Sequence, residues 1–269
     1  TAWALLRRHP ALPLRLLEKD PSLGQHQTGH NSGVMQSCLY YAPGSAKARL
    51  CGAGGRAMKA FCTEFGVPFE TCGKLVVATT PEELPRLDEL ERRGRANGVA
   101  LHRLGPEALR EREPHAAGLA ALAVPETGIV DFGEVACTLG RLLAERGVDI
   151  QTECAVQGAA RVRGTWRLRS SRGTLEAGGL IACPGLFSDR LARAAGLATP
   201  VRIVPFRGEY HLLRPEAAHL VRHLIYPVPD PAFPFLGVHF TRTLHGEIEA
   251  GPNAVLALVD QPDGARLCA

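Results

Sequence analysis

Apolar and polar positions follow several distinct rhythms along the chain, and these predict most of its elements. Residues 1–9 carry helical character, 10–13 a turn, and 14–17 a short apolar strand that ends at Glu18. In 44–65, Ala46, Leu50, Ala53, Ala57, Ala60 and Phe61 fall near one helical face, despite Gly52, Gly54 and Gly55. Residues 72–78 predict a strand, Pro81 opens a charged helix running to Asn97, and Gly98 stops it. A short helix over 105–114 precedes an irregular stretch at 125–131. A helix over 133–146, ended by Gly147, then leads to a strand at 148–151. Three β segments at 155–162, 166–169 and 174–177, divided by Arg163-Gly164 and Arg172-Gly173, predict an antiparallel meander. An apolar strand is expected at 179–183, leading through Pro184-Gly185 to a helix over 188–195. The last third reads as strands at 202–213, 224–226, 235–241 and 247–249, broken by Pro227, Pro229, Pro231 and Pro234.

Composition narrows the class. With 269 residues, 45% of them hydrophobic, the chain can bury the core of one large or two modest domains. A net charge of +4 with scattered cations argues against nucleic acid or a polybasic membrane patch, but leaves room for a small anion. Eight cysteines without a CxxC pair, among them Cys38, Cys51, Cys62 and Cys72 in apolar segments, read as reduced thiols of an intracellular compartment. No apolar run is long enough to span a membrane, no signal-like start is seen, and no Cys/His/carboxylate spacing suggests a metal.

The stretch 25–41, QHQTGHNSGVMQSCLYY, is the candidate ligand-touching loop. Gly29 and Gly33 permit close backbone approach, while Thr28, His30, Asn31 and Ser32 supply donors and acceptors. The plainer alternative is a cap, with Asn31 or Ser32 starting a short helix. Glu18 ends a helix–strand unit where a dinucleotide fold places the acid that binds ribose hydroxyls; a surface glutamate in Glu18-Lys19-Asp20 is the competing reading. The glycine fingerprint of such a fold is expected before Thr1 and is not in the sequence.

Together with Glu18, the segments HQTGHNSGV, CGKLVVA, PETGIVDF, GLFSDR, RIVPFRGEY, YPVPD, FPFLGVHFT and GPNAVLA closely resemble the L-2-hydroxyglutarate dehydrogenase/oxidase family, within the D-amino-acid-oxidase-like FAD enzymes. The resemblance implies a mixed α/β (α+β) fold: an incomplete Rossmann-like FAD-binding domain, discontinuous in sequence at 1–70 and 131–198, and a mixed β-sheet substrate domain at 71–130 and 199–269. It implies hydride transfer from L-2-hydroxyglutarate to FAD, giving 2-oxoglutarate. A neutral imidazole suits removal of the hydroxyl proton, and His30 and His239 are the candidates. For the dicarboxylate substrate, Arg207 leads, with Tyr210, Tyr226 and Asn253 as polar partners and Lys74 as a weaker one, since a lysine beside a strand is usually solvated. A salt bridge to Glu209 is the plain alternative for Arg207. For FAD, the resemblance makes Glu18 the ribose ligand, Val156 a backbone contact to adenine, and Thr28, Gly29, His30, Asn31 and Ser32 the wall along pyrophosphate or flavin. The Cys183-Pro184-Gly185 turn approaches the cofactor, although Pro184 departs from the small residue usual there. Without the opening glycine loop and the closing flavin-facing segment, the chain is expected to be a partial form. The rival readings are a related FAD oxidase of an amino acid or another 2-hydroxy acid, and a non-catalytic fragment. The resemblance further implies an unidentified electron acceptor and a mitochondrial location in an animal source. In a bacterial source it implies a cytoplasmic or peripheral membrane one.

Overall fold

The computed structural model describes residues 1–232 and 237–257; part of the expected strand at 235–241 and the divergent end at 260–269 lie outside the described residues. The chain runs α1 (Ala2–Arg8), β1 (Arg15–Leu17), β2 (Val34–Met35), α2 (Ala46–Phe65), β3 (Phe69–Glu70) and β4 (Lys74–Ala78). Next come α3 (Leu84–Ala96), β5 (His102–Leu104), α4 (Pro106–Arg112), β6 (Ala120–Val124), β7 (Gly128–Val130), α5 (Phe132–Glu145) and β8 (Asp149–Gln151). The remainder is β9 (Val156–Val162), β10 (Thr165–Ser170), β11 (Gly173–Ala177), α6 (Ser188–Ala194), β12 (Phe206–Leu212), β13 (Leu224–Pro227), β14 (His239–Arg242) and β15 (Ile248–Leu256).

The strong helical signals place their elements well. Ser45 Oγ accepts from Ala48 N at 3.1 Å to start α2, and Gly66 ends it at φ 69°, where a side chain would be strained. Asp131 caps α5 by accepting from Gly133 N at 2.7 Å.

One layer is the parallel pair β1–β8, Leu16 opposite Ile150, under which Leu6 of α1 packs on Leu143 and Val148. The meander β9–β10–β11 forms as expected. The largest sheet has seven strands in the order β12-β15-β14-β13-β4-β6-β5, with β4 and β13 parallel at its centre. Its two faces feed separate cores: Val76, Leu122, Leu224 and Tyr226 on one side, Leu75, Val77, Ala121 and Ala123 on the other. The mixed α/β class is as expected.

Three details differ from expectation. Residues 179–183 form no strand: no strand among the described residues hydrogen-bonds to them, and Ile181 is left 58% exposed. An apolar run has strand potential only, and a ladder partner must realise it. Strand β6 arises from an alanine-rich segment of weak β propensity because it is sandwiched between β4 and β5. Strand β15 far exceeds the expected 247–249, because pairing with β12 and β14 on both sides holds even Pro252 within it.

Two further contacts fix the frame. Glu113, fully buried at the end of α4, accepts from the backbone N of Arg222 (3.0 Å) and His223 (2.5 Å) and lies 2.8 Å from His223 Nδ1, clamping the entry to β13. Gly33, at φ 66°, presses against β7: a Cβ there would stand 2.6 Å from Val130 O. Gly33→Ala should therefore cost about 1–3 kcal/mol from overpacking against rigid backbone, and a urea melt reads this as a lowered midpoint with unchanged slope.

Candidate active site

Alternation along the central strands gathers a polar cluster on one face of the seven-stranded sheet. Lys74 of β4 stands opposite Leu224 of β13, and Tyr226 opposite Val76, so Lys74, Val76 and Tyr226 share a face. Ile225 pairs with Phe240, which puts the neighbouring His239 and Thr241 of β14 on that same face. The segment from Gln36 to Tyr41 folds over it. Lys74 Nζ lies 4.5 Å from the Tyr40 ring centre and 5.2 Å from that of Tyr226, and the Tyr226 and His239 rings stack 4.0 Å apart at 15°.

Burial sets the chemistry. Lys74 is 1% exposed, and its Nζ has no hydrogen-bond partner among the described residues; Tyr40 OH is likewise buried and unpartnered, while the Thr241 and Gln36 side chains stand at the Tyr226 hydroxyl. Desolvation lowers the Lys74 pKa to about 7, against a slight upward pull from Cys51, and raises Tyr226 to about 12 and Tyr40 still further. Burial likewise lowers the pKa of His239, so its neutral ring is favoured at neutral pH. His239 Nδ1 lies 3.0 Å from Gly237 O, and because a carbonyl only accepts, Nδ1 carries the proton. Nε2 is then the basic nitrogen.

A second constellation lies beside β1. Cys154 N donates to Glu18 O at 2.8 Å, bringing Glu18 close to Val156 at the start of β9, and Glu18 Oε1 accepts from Asp20 N at 3.0 Å. Residues 25–33 form an irregular loop; no helix starts at Asn31 or Ser32. Asn31 holds the loop by donating to Gln27 O and Thr28 O and accepting from Gly33 N, while His30 Nδ1 lies 3.0 Å from His26 O. Thr28 and Gly29 stay exposed, and Ser32 is half-buried. Gly185, at φ 56°, faces the loop, its Cβ position 3.6 Å from Gln27 Oε1; the exposed Cys183 Sγ lies 3.8 Å from Thr1 Oγ1. His26 Nε2 is buried without a partner, its ring 5.9 Å from Phe187, and burial followed by Lys19 lowers its pKa. A carboxylate at a strand end, an orphaned imidazole nitrogen and a glycine turn around one loop have the donor and acceptor chemistry to fit the ribose and phosphate portion of a dinucleotide.

The sheet separates the remaining candidates. Between Glu209 and His211 the register shifts, with the extra residue in β15, so alternation continues along β12; His211 pairs with Ala250 and Ala250 with Phe240, which sets Arg207, Glu209 and the opposed Asn253 on Phe240's face, away from His239. Arg207 there makes the ion pair with Glu209, its plainer reading, and Asn253 is exposed. Tyr210 falls on the His239 face, where its ring fills the space above Gly251. The structure thus sets Tyr226, His239 and Tyr210 on one face with Lys74, beside Tyr40 and Thr241, and places His26 separately, next to Phe187 and Lys19; Tyr40, Thr241 and His26 are not singled out by the sequence. The signal for Lys74 was its i, i+2, i+4 alignment with Val76 and Ala78 in a strand buried on both faces.

A family model described as FAD dependent oxidoreductase matches residues 1–267. The chain belongs to that family. Its similarity extends at 46% identity to L-2-hydroxyglutarate dehydrogenase of Escherichia coli (strain UMN026), covering 96% of this chain and 61% of the relative. The mitochondrial L-2-hydroxyglutarate dehydrogenase of Homo sapiens is 42% identical, over 96% of this chain and 58% of the relative. The chain thus spans about three fifths of the length of these curated relatives. Among solved structures, FAD-bound L-alpha-glycerophosphate oxidase from Mycoplasma pneumoniae superimposes with TM-score 0.84 at 22% identity, over 91% of this chain and 66% of that one. Glycine oxidase from Geobacillus kaustophilus also gives 0.84, at 19% identity, over 98% and 70%. At these identities the likeness establishes the fold. Among the described residues of this family member, no helix is long and apolar enough to cross a membrane, and no His/Cys/Asp/Glu group could hold a metal.

Proposed function

We propose that this protein acts in the oxidation of L-2-hydroxyglutarate to 2-oxoglutarate. The observation that carries the reading is the buried, ring-stacked His239, its Nε2 basic and its neighbour Lys74 unpaired, in a chain similar over 96% of its length to L-2-hydroxyglutarate dehydrogenases. FAD, when bound, supplies the hydride acceptor. Glu18 would hold its ribose, the Val156 backbone its adenine, and Thr28, Gly29, His30, Asn31 and Ser32 with Cys183 and Gly185 the rest of the dinucleotide. The division follows: 1–70 and 131–198 serve the cofactor, 71–130 and 199–269 the substrate.

Loss of hydride from an alcohol carbon makes its hydroxyl strongly acidic, and His239 Nε2 takes that proton. Stacking on Tyr226 fixes the imidazole plane, and the Gly237 carbonyl fixes its tautomer, so the base is oriented before substrate arrives. Tyr226 and Tyr210 border the substrate on the same face. His30, tied to its loop, lines the cofactor. The electron acceptor that reoxidises the protein is a separate molecule. An animal source would place the reaction in mitochondria, a bacterial one in the cytoplasm or beside a membrane.

Turnover tests this reading. With FAD and a dye acceptor, the purified protein should form 2-oxoglutarate from L-2-hydroxyglutarate, and none from the D enantiomer. Formation of glyoxylate and ammonia from glycine, or of a cyclic imine from proline, would instead assign it to an amino-acid oxidase.

A further inference from the structure

Lys74 has a role that the proton chemistry of His239 leaves unused. A fully buried ammonium without a hydrogen-bond partner is costly, and a hydrophobic side chain of similar length would fill the same space without that cost. Here the group is also held in place. Two aromatic faces flank it, Tyr40 at 4.5 Å and Tyr226 at 5.2 Å, and the buried Tyr40 OH in the same cluster lacks a partner too. One cation and an unsatisfied hydroxyl, beside a base suited to an alcohol, form a site complementary to an anion bearing its own acceptors. From these contacts we infer that Lys74 is the counter-charge for a substrate carboxylate, with Tyr40 OH as its hydrogen-bonding companion. This rests on the dicarboxylate-oxidation reading and puts a carboxylate anchor on the His239 face; Arg207, paired with Glu209 but with its Nε buried and unpartnered, lies on the other face.

The surroundings of Lys74 dictate a proton signature. The elements packed against it present Tyr40 from the turn after β2, Cys51 from α2, Tyr226 from β13 and His239 from β14, while β6 offers Val124 and α3 leucines. Cys51 is held up to about 11 by burial and then by Cys38, and both tyrosines are raised, so none is anionic at neutral pH. A carboxylate ligand would therefore be the first negative charge to reach the ammonium. With the ligand-free Lys74 near 7, most molecules are uncharged there at pH 8, and binding must draw a proton from solution.

Calorimetric titration of the FAD-loaded protein with 2-oxoglutarate at pH 8, in buffers of different ionisation enthalpy, reads this proton. Wild type should take up a proton on binding, read as an observed heat that varies with the buffer's ionisation enthalpy. Lys74→Met should weaken 2-oxoglutarate at least about tenfold and abolish the uptake. It should also melt at a higher temperature than wild type, which separates a lost contact from a lost fold. His239→Gln should keep the uptake, excluding the imidazole as its source. Equal affinity and equal uptake in Lys74→Met, or no 2-oxoglutarate binding by wild type, would overturn the assignment. Lys74-dependent binding without turnover of L-2-hydroxyglutarate would leave the anchor standing and sink the proposed reaction. Turnover with an unchanged KM in Lys74→Met would do the reverse.

Discussion

His239→Gln is expected to slow reduction of the bound flavin by L-2-hydroxyglutarate by roughly a hundred- to ten-thousand-fold, the range that a positioned general base contributes. Glutamine preserves most of the ring's volume and can still donate to the Gly237 carbonyl, but no basic nitrogen remains where Nε2 stood. The loss should appear in the rate of reduction, with FAD binding unaltered, because the Glu18 side of the molecule is untouched. Stopped-flow measurements under anaerobic conditions check both quantities. The pH profile gives a second signature. Burial depresses the His239 pKa, so in wild type the acid limb should fall below the ordinary histidine value of about 6.5, and in His239→Gln it should vanish. The same depression has a stability consequence. The unfolded chain gains the His239 proton first, so this group's contribution is complete above about 6.5 and is lost as pH falls through the lower folded value.

Glu113→Ala should cost about 3–5 kcal/mol of stability, the largest effect expected away from the cluster. The carboxylate is fully buried and accepts two backbone N–H groups, with the His223 ring nitrogen at 2.8 Å as a further partner. Alanine would leave those backbone donors buried without partners as well as a cavity. Because Arg222 and His223 lead directly into β13, the strand bearing Tyr226 would lose its anchor to α4. Scanning calorimetry should show a melting temperature lower by roughly 6–20 °C, at the 2–4 °C per kcal/mol expected for domains of nearly this size. Glu113→Gln, which retains an acceptor oxygen, should lie between the two.

Local signals in the sequence carried the helices and the meander, because caps, stop glycines and turn pairs act within a few residues. Ser45, Gly66, Gly98, Asp131 and Gly147 each stand at a helix boundary that matches expectation to within a few residues. The family was legible from long ordered motifs, and the place of Glu18 just after β1 from the apolar run before it. What local signals could not supply was long-range pairing. Residues 179–183 have strand composition but no ladder, and β6 has the ladder without the composition. The polar site suffered most from this limit. Arg207 looks like the natural carboxylate ligand in isolation, yet the irregular pairing of β12 with β15 sets it on the opposite face from His239. Lys74 looks like an ordinary strand-end lysine until β13 and Tyr40 close around it. The loop at 25–41 divides between both sites: its first half folds on itself beside Glu18, and its second half brings Tyr40 over the sheet.

In the proposed reaction this face of the sheet oxidises one enantiomer of one hydroxy dicarboxylate. Anaerobic mixing of the FAD-loaded protein with L-2-hydroxyglutarate, followed at the flavin absorption band, tests it most directly. The predicted result is full bleaching with one 2-oxoglutarate formed per flavin, and an unchanged spectrum with D-2-hydroxyglutarate. Bleaching by both enantiomers, or by neither, would contradict it.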